Sequence, residues 1–273
     1  MVARFQGIRY ASARRRGAHA PGPARIFMPS ILLTNDDGVD APGIVALHRA
    51  LSGIGDVLRV APDRDQSGAG HALTLNSPLR IRQVGEDAHA VDGTPTDCVN
   101  LGIFHLMGSR PDLVVSGINP TPNLGDDITY SGTVSAALEG TLLGVPSFAI
   151  SCDGEPGRVR FQQAADVACE VARRILRDGL PGDMLLNVNV PRAPSLGFKV
   201  ARQGRRVYTE GVVERIDPLG RLYYWIGGVA PEWRDEPRSD YAALKAGYVS
   251  LTPLRIDLTQ ESALADLASR WEQ

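Results

Sequence analysis

The sequence has few cysteines and no long apolar stretch, and both absences narrow what the protein can be. Its three cysteines, Cys98, Cys152 and Cys169, are odd in number and far apart among 273 residues. They match neither a disulfide framework nor the close ligand spacing of a zinc site, and they indicate a reducing compartment. No segment approaches the ~18 consecutive apolar residues that a membrane-spanning helix needs. We therefore expect a cytoplasmic protein that has no membrane partner.

The chain also lacks a strong net charge, although its charges are unevenly placed. Residues 1–29 contain six arginines and no acidic residue. Since the whole chain carries −2 and this segment carries +6, the remaining residues carry −8. An acidic body argues against a nucleic acid as partner. The segment is Arg-rich like some targeting peptides but has no secretory apolar core, so we expect a disordered basic extension, or translation that begins at Met28.

Short apolar runs that end in turn residues indicate the strands of a parallel sheet. Such runs occupy residues 30–34, 56–62, 112–118, 145–151 and 184–190, and helical patterns lie between them at 43–54, 95–107, 132–143 and 161–176. This alternation predicts an α/β fold with a mainly parallel sheet flanked by helices. Branched-rich runs at 72–75, 79–84 and 88–91 predict a small antiparallel addition.

The pattern changes after Pro191. Runs at 198–204, 207–213 and 222–228 are strand-like and carry aromatic and charged residues, which predicts a protruding β-hairpin region in the C-terminal part. Aromatic residues on such an arm often pack against another subunit. We expect a catalytic α/β core over 30–190, and a hairpin and oligomerisation region over 191–273 with one returning strand and a terminal helix.

Asp36 and Asp37 follow the first apolar strand directly and precede Gly38. They should lie at the carboxyl end of a core strand, where open α/β sheets bind their ligands. Neighbouring carboxylates repel each other unless a cation or a shared proton offsets the charge. A divalent metal site is one interpretation of this pair. The other is a solvated turn in which an aspartate caps the next helix.

Further polar residues are predicted at the same edge of the sheet: Ser67, Asn119, Asn123, and the segment Ser131, Gly132 and Thr133 at a helix start. Carboxylate, hydroxyl and amide oxygens suit Mg²⁺ or Mn²⁺ better than zinc. A Ser-Gly-Thr helix start suits an anion, although the same residues also cap helices that bind nothing. A cation beside an anion pocket predicts phosphoester hydrolysis.

Seven motifs carry a resemblance to a known family. They are ILLTNDDG at 31–38, APDR at 61–64, QSG at 66–68, GTPTDC at 93–98, SGIN at 116–119, NLGDD at 123–127 and YSGTV at 130–134. Together they resemble the SurE (survival protein E) family of nucleotidases over about residues 30–255. The resemblance implies a Rossmann-like domain and metal-dependent release of phosphate from nucleoside 5′- and 3′-monophosphates. In some members it also implies trimming of short polyphosphate.

The resemblance also implies roles for individual residues. One divalent metal per subunit, Mg²⁺ or Mn²⁺, would be held by Asp36, Asp37, Ser67 and Asn119. The phosphate would be met by Asn123, Ser131, Gly132 and Thr133, which with the two aspartates form the expected catalytic set. The family further implies a homodimer or homotetramer in which C-terminal arms swap between subunits.

One residue departs from the family pattern. Thr121 stands where the family has glycine two residues after the ligand asparagine, and a β-branched residue does not readily adopt a positive φ. Either the loop needs no such conformation there, or the placement of Asn119 and Asn123 is altered. The second reading keeps open a nucleotide-sensing module with impaired catalysis. A further alternative is an aspartyl-phosphate phosphatase that uses Asp36 as nucleophile.

Overall fold

The computed structural model describes residues 28–154, 159, 161–207, 211–226 and 232–272. The predicted basic extension lies outside these residues over 1–27. In chain order, the described helices and strands are β1 (Ser30–Thr34), α1 (Pro42–Leu51), β2 (Asp56–Pro62), β3 (Ile81–Gly85), β4 (Ala88–Val91), α2 (Pro95–Leu101), β5 (Leu113–Asn119), α3 (Gly132–Leu142), β6 (Ser147–Cys152), α4 (Phe161–Asp178), β7 (Met184–Val190), β8 (Phe198–Val200), β9 (Arg206–Val207), β10 (Val212–Ile216), β11 (Leu222–Ile226), β12 (Glu232–Trp233), α5 (Asp240–Lys245), β13 (Val249–Arg255) and α6 (Glu261–Trp271). None of the helices in this set is both long and apolar enough to cross a membrane.

Nine of the described strands form one sheet in the order β3-β4-β2-β1-β5-β6-β7-β13-β8. The central strands from β4 to β7 run parallel to one another. β3 and β13 add antiparallel pairs at the two sides. This arrangement confirms the predicted mainly parallel, Rossmann-like α/β fold. Because β13 pairs with β7, the sheet continues past residue 190, and the division of the chain at that residue stays a prediction.

Helices cover both faces of the sheet, and β1 shows how the sequence dictates this. Ile31 and Leu33 belong to the apolar core that α1 and α4 share, whereas Leu32 belongs to the core on the opposite face, with α2 and α3. Side chains alternate between the faces of a strand, so a run of apolar residues needs cover on both sides. The apolar strand therefore lies in the centre of the sheet, and its polar continuation emerges at the carboxyl edge.

Helix α1 lies unusually close to the sheet at its first turn. A Cβ atom at Gly43 would lie 2.1 Å from the carbonyl oxygen of Ile118 in β5, so no side chain fits at this position. This contact brings the turn after β1 next to the carboxyl end of β5. Because β1 also pairs with β5, the turn that contains Asp37 and the strand end that contains Asn119 are neighbours.

Residues 72–75 are not a strand, and that expectation was wrong. The backbone N–H and hydroxyl of Thr74 instead donate to the Asp97 carboxylate, at 2.9 Å and 2.6 Å. The same carboxylate accepts from the N–H of Thr94 in a capping box at the start of α2. A local side-chain acceptor thus replaces the strand partner that this segment would need.

The C-terminal hairpin is present as predicted, with different strand limits. β10 and β11 pair antiparallel, with Val212 opposite Ile226. The predicted single strand over 207–213 is instead divided, because β9 pairs with β12 and only β10 belongs to the hairpin. Parts of the expected runs at 208–210 and 227–228 lie outside the described residues.

Candidate functional site

The acidic pair meets the start of α3. The Thr133 hydroxyl donates to Oδ1 of Asp36 at 2.5 Å, across 97 residues of sequence. Gly132 lies against the same side chain, and a Cβ atom there would be 2.8 Å from the Cβ of Asp36. Asp36 is only 5% exposed. The structure therefore brings two separately predicted features, the acidic pair and the Ser-Gly-Thr helix start, to one place.

Burial raises the pKa of both carboxyl groups. For Asp36, desolvation outweighs the hydrogen bonds from Thr133, which act in the opposite direction. For Asp37, desolvation acts together with repulsion from Asp36 and Asp65 and raises the pKa to about 7. The charges that act on Asp37 are thus those of other carboxylates. A bound cation would offset this repulsion directly.

The loop that carries Ser67 folds back over the acidic turn. The Asn35 side chain closes the turn by bonding the backbone of Gly38 in both directions, at 2.9 Å and 3.2 Å. The N–H of Gln66 then donates to the Asp36 carbonyl oxygen at 2.8 Å. The Ser67 hydroxyl donates to Asp65 at 2.6 Å, and this leaves the oxygen lone pairs of Ser67 for a ligand.

Asn119 is oriented by the residue that departs from the family pattern. Its side-chain N–H donates to the Thr121 carbonyl oxygen at 2.6 Å and to the Thr121 hydroxyl at 3.2 Å. Since the amide nitrogen is engaged, the amide oxygen is the atom that can face a metal. Arg238 is the only non-glycine residue with positive φ in the described part of the chain. Thr121 therefore fits its loop without the conformation that its side chain disfavours.

Asn123 is held at the ends of β6 and β7. Its side chain donates to the Ser151 hydroxyl at 2.8 Å, and its backbone N–H donates to the side chain of Asn189 at 2.9 Å. Asn187 and Asn189 both donate to its carbonyl oxygen. These strands lie second and third from β1 in the sheet. Asn123 is thus fixed firmly by hydrogen bonds to side chains of both strands.

The C-terminal region fixes the loop that follows Asn123. The buried Asp240 carboxylate accepts from the N–H of Gly125 at 2.8 Å and from the N–H of Gly204 at 3.0 Å. Arg206 forms a salt bridge with Asp127 at 2.7 Å. Residues beyond 190 therefore take part in shaping the carboxyl edge of the sheet.

Sequence reasoning missed a polar cluster behind the Ser67 loop. His71 contacts one carboxylate oxygen of Glu139 at 2.7 Å, and Asn100 donates to the other at 2.7 Å. Burial alone would raise the pKa of Glu139, but the hydrogen bonds from His71 and Asn100 outweigh it and lower the pKa. A glutamate inside the apolar pattern of α3 was the available signal. Asp65 was also overlooked, although it lies two residues before Ser67.

The donor atoms fit a hard cation. No group of three or more His, Cys, Asp or Glu side chains suited to a metal lies within the described ranges. The candidate set differs from such a group, because it combines two carboxylates with the hydroxyl of Ser67 and the amide oxygen of Asn119. All of these donors are oxygens, which magnesium and manganese prefer. Burial, and next to it repulsion among carboxylates, raises the pKa values of Asp36 and Asp37, and a bound cation would offset that repulsion.

The fold and the site together define an α/β protein with an oxygen-donor site beside a helix start, at the carboxyl edge of its sheet. The family model described as "Survival protein SurE" matches residues 31–210. A relative named "5'-nucleotidase SurE" from Syntrophotalea carbinolica is 53% identical over 242 residues, which cover 88% of this chain and 96% of the relative. A second relative of the same name, from Geotalea daltonii, is 52% identical over 245 residues, which cover 89% of this chain and 98% of the relative.

A solved structure gives the same result. The SurE protein from Aquifex aeolicus is 47% identical, covers 89% of this chain and 99% of its own, and superposes with a TM-score of 0.79. The chain belongs to the SurE family, and the resemblance noted from the motifs is confirmed. The names of the relatives also agree with the prediction of an enzyme.

Proposed function

We propose that this protein is a metal-dependent phosphatase that hydrolyses nucleoside 5′-monophosphates, and also 3′-monophosphates, to nucleoside and phosphate. The observation that carries the proposal is the contact between Asp36 and the first turn of α3 through Thr133 and Gly132. This contact supports a site in which a carboxylate pair suited to a cation lies beside a helix start suited to a phosphate. The proposal extends to short polyphosphate as a secondary substrate.

Asp36, Asp37, Ser67 and Asn119 would hold one Mg²⁺ or Mn²⁺ per subunit. Such an ion polarises a phosphoryl oxygen and lowers the pKa of a bound water. The backbone and side chains of Ser131, Gly132 and Thr133, together with Asn123, would bind the phosphate oxygens. Because Thr133 donates to Asp36, it would also fix the direction of that carboxylate.

Two rival functions are less well supported. A covalent phosphoaspartate would need Asp36 to be accessible, yet this side chain is buried and bonded to Thr133. A sensor with impaired catalysis was suggested by Thr121, yet Thr121 orients Asn119 and has no positive φ. Both observations favour hydrolysis by an intact site.

We further propose a cytoplasmic homodimer or homotetramer that assembles through the C-terminal region. The support is one apolar face of the β10–β11 hairpin, where Leu222 and Ile226 are 56% and 92% exposed. Helix α6 has no buried residue. Surfaces of this kind mark protein–protein contacts.

The proposed activity is tested by measuring inorganic phosphate released from a panel of 5′- and 3′-nucleoside monophosphates and short polyphosphate. Each substrate is assayed with Mg²⁺, with Mn²⁺ and with a chelator. We expect release from the nucleotides that depends on the divalent ion. Nucleotide binding without phosphate release would support the sensor instead, and release that persists in chelator would reject the metal site.

A further inference from the structure

An apolar cavity opens beside Asp37. Its volume is about 590 Å³, and it is lined by Asp37, residues 41–43, Pro120, Val159 and Phe161. This volume lies in the range of small-molecule pockets. Apart from the single carboxylate, the side chains in this lining are apolar. The cavity is therefore suited to a flat or apolar group that is attached to something charged.

Phe161 supplies an aromatic ring to this cavity. It is the first residue of α4 and is half-buried. Its Cε1 atom lies 3.2 Å from the position that a Cβ atom of Gly43 would take, so the ring borders the first turn of α1. The absence of a side chain at Gly43 keeps this wall of the cavity open.

The cavity and the start of α3 lie on opposite faces of the sheet and meet at the acidic pair. Helices α1 and α4 cover one face and α3 covers the other. Asp36 faces the first turn of α3, whereas Asp37 lines the cavity. A ligand that reaches across the edge would have its anionic end at Gly132 and its apolar end at Phe161. A nucleoside monophosphate has this distribution of groups.

We propose that the cavity binds the nucleobase of the substrate and that Phe161 stacks on it. This inference rests on the proposed nucleotidase function. Two lining residues, Pro42 and Pro120, have no backbone N–H to offer to a base edge. Since the lining side chains other than Asp37 are apolar, recognition relies on stacking and apolar contact, which every base can provide through its flat face. Phe161 is accordingly a specificity-determining residue, and it takes no part in the chemical step.

The test compares a substrate that has a base with one that has none. The kcat/KM for AMP is divided by that for ribose 5-phosphate, in wild type and in Phe161→Leu and Phe161→Tyr. We expect this ratio to fall about 5- to 20-fold in Phe161→Leu, as loss of base–aromatic stacking predicts, and to recover in Phe161→Tyr. Phe198→Leu is the matched control, since Phe198 of β8 is also a half-buried ring and packs under Arg174 of α4.

The outcomes separate this inference from the function on which it rests. A ratio that changes no more in Phe161→Leu than in Phe198→Leu overturns the base pocket, while hydrolysis of AMP still supports the function. If the wild type hydrolyses neither substrate, both proposals fall. If circular dichroism shows that Phe161→Leu is unfolded, inhibition of the wild-type enzyme by adenosine tests the pocket instead. Competitive inhibition of ribose 5-phosphate hydrolysis by adenosine in the wild type supports the pocket, and no inhibition overturns it.

Discussion

The carboxyl edge of the sheet buries charge, whereas the β10–β11 hairpin exposes apolar surface. Asp36 is 5% exposed, and Ile226 is 92% exposed. A buried carboxylate is costly unless a partner offsets its charge, and a large exposed apolar patch marks an interaction site. The two regions depart from the usual distribution of side chains in opposite directions. The proposed partners would account for both departures: an ion with a phosphate in one region, and a second protein surface in the other.

The two regions also differ in how the chain builds them. The site at the carboxyl edge combines residues that follow β1 and β2 with residues at the end of β5 and the start of α3. Its geometry therefore depends on how these parts of the sheet pack together. The hairpin is local, since β10 and β11 pair only with each other in the described part of the chain. We therefore expect changes at the edge to alter chemistry and changes on the hairpin to alter assembly. The predictions below test that separation.

The largest expected effect is that of Asp37→Asn on catalysis. Removal of one ligand charge should lower kcat/KM for nucleoside monophosphates about 1000-fold, the upper range for loss of a charge-stabilising group. The fold and the oligomeric state should be unchanged, as checked by circular dichroism and light scattering. Asp56→Asn is the matched control, because Asp56 is exposed at the start of β2. Turnover within a few-fold of wild type in Asp37→Asn would reject the site.

A second effect concerns assembly. Leu222 and Ile226 lie on one face of the hairpin with Val212 and Ile216, as the strand register requires. The double change Leu222→Asp and Ile226→Asp should raise the dissociation constant of the oligomer about 100-fold, because buried apolar anchors dominate such interfaces. Analytical ultracentrifugation measures this constant. Arg215→Asp, on the opposite face of the same hairpin, is the control, and an unchanged dissociation constant in the double variant would contradict the proposed interface.

A smaller effect is expected in the pH dependence of stability. In metal-free protein the pKa of Asp37 is raised from 3.8 to about 7. The folded state therefore keeps a proton that the unfolded chain has already lost, so the stability contribution of Asp37 falls between these pH values and is level above them. Asp37→Asn should lack this fall. Melting temperatures between pH 4.5 and 8 should show it as a fall of several degrees in the wild type, because each pH unit of this range costs up to about 1.4 kcal/mol.

Added Mn²⁺ gives a second test in the same measurement of melting temperature against pH. A bound cation favours the ionised carboxylates, so it should remove the loss of stability towards pH 7 in the wild type. It should have much less effect on Asp37→Asn. Parallel pH profiles for the two proteins in chelator would show that burial of Asp37 does not impose the expected cost.

The smallest effect should come from Thr121→Gly. Thr121 has no positive φ to relieve, and Asn119 keeps its 2.6 Å bond to the backbone carbonyl while losing the longer contact to the hydroxyl. We expect less than about a 3-fold change in kcat/KM, consistent with one weak hydrogen bond. Thr121→Val is the control that removes the hydroxyl but keeps the branched side chain. A gain above about 10-fold in Thr121→Gly would support the sensor reading of the wild-type chain.

The fold was predictable where burial is complete. β1 has the expected limits because a buried parallel strand is a short apolar run that stops at a turn. The prediction of a strand at 72–75 failed because a contact that is distant in sequence fixes this segment. Thr74 is bonded to Asp97, 23 residues further along the chain, and such a pairing leaves no periodic pattern in the sequence.

The candidate site was predictable as a set of strand ends but not as a set of contacts. Parallel topology alone places the residues that follow β1, β2 and β5 at one edge. The bond from Thr133 to Asp36 and the contact between His71 and Glu139 join residues that are far apart in sequence. The packing of α3 against two loops decides these contacts, and no local propensity reports it. Asn123 was placed near the phosphate from the family pattern, and that role stays a prediction.

Gly132 has a consequence for anyone who screens this protein by mutation. Any side chain there would press on Asp36, since even a methyl carbon would lie 2.8 Å from the Cβ of that residue. A saturation screen would score the position as intolerant whether the glycine amide contacts substrate or merely leaves room for the aspartate. Substitutions of the side chain at position 132 therefore cannot distinguish the two explanations. Replacement of the backbone amide by an ester would separate them.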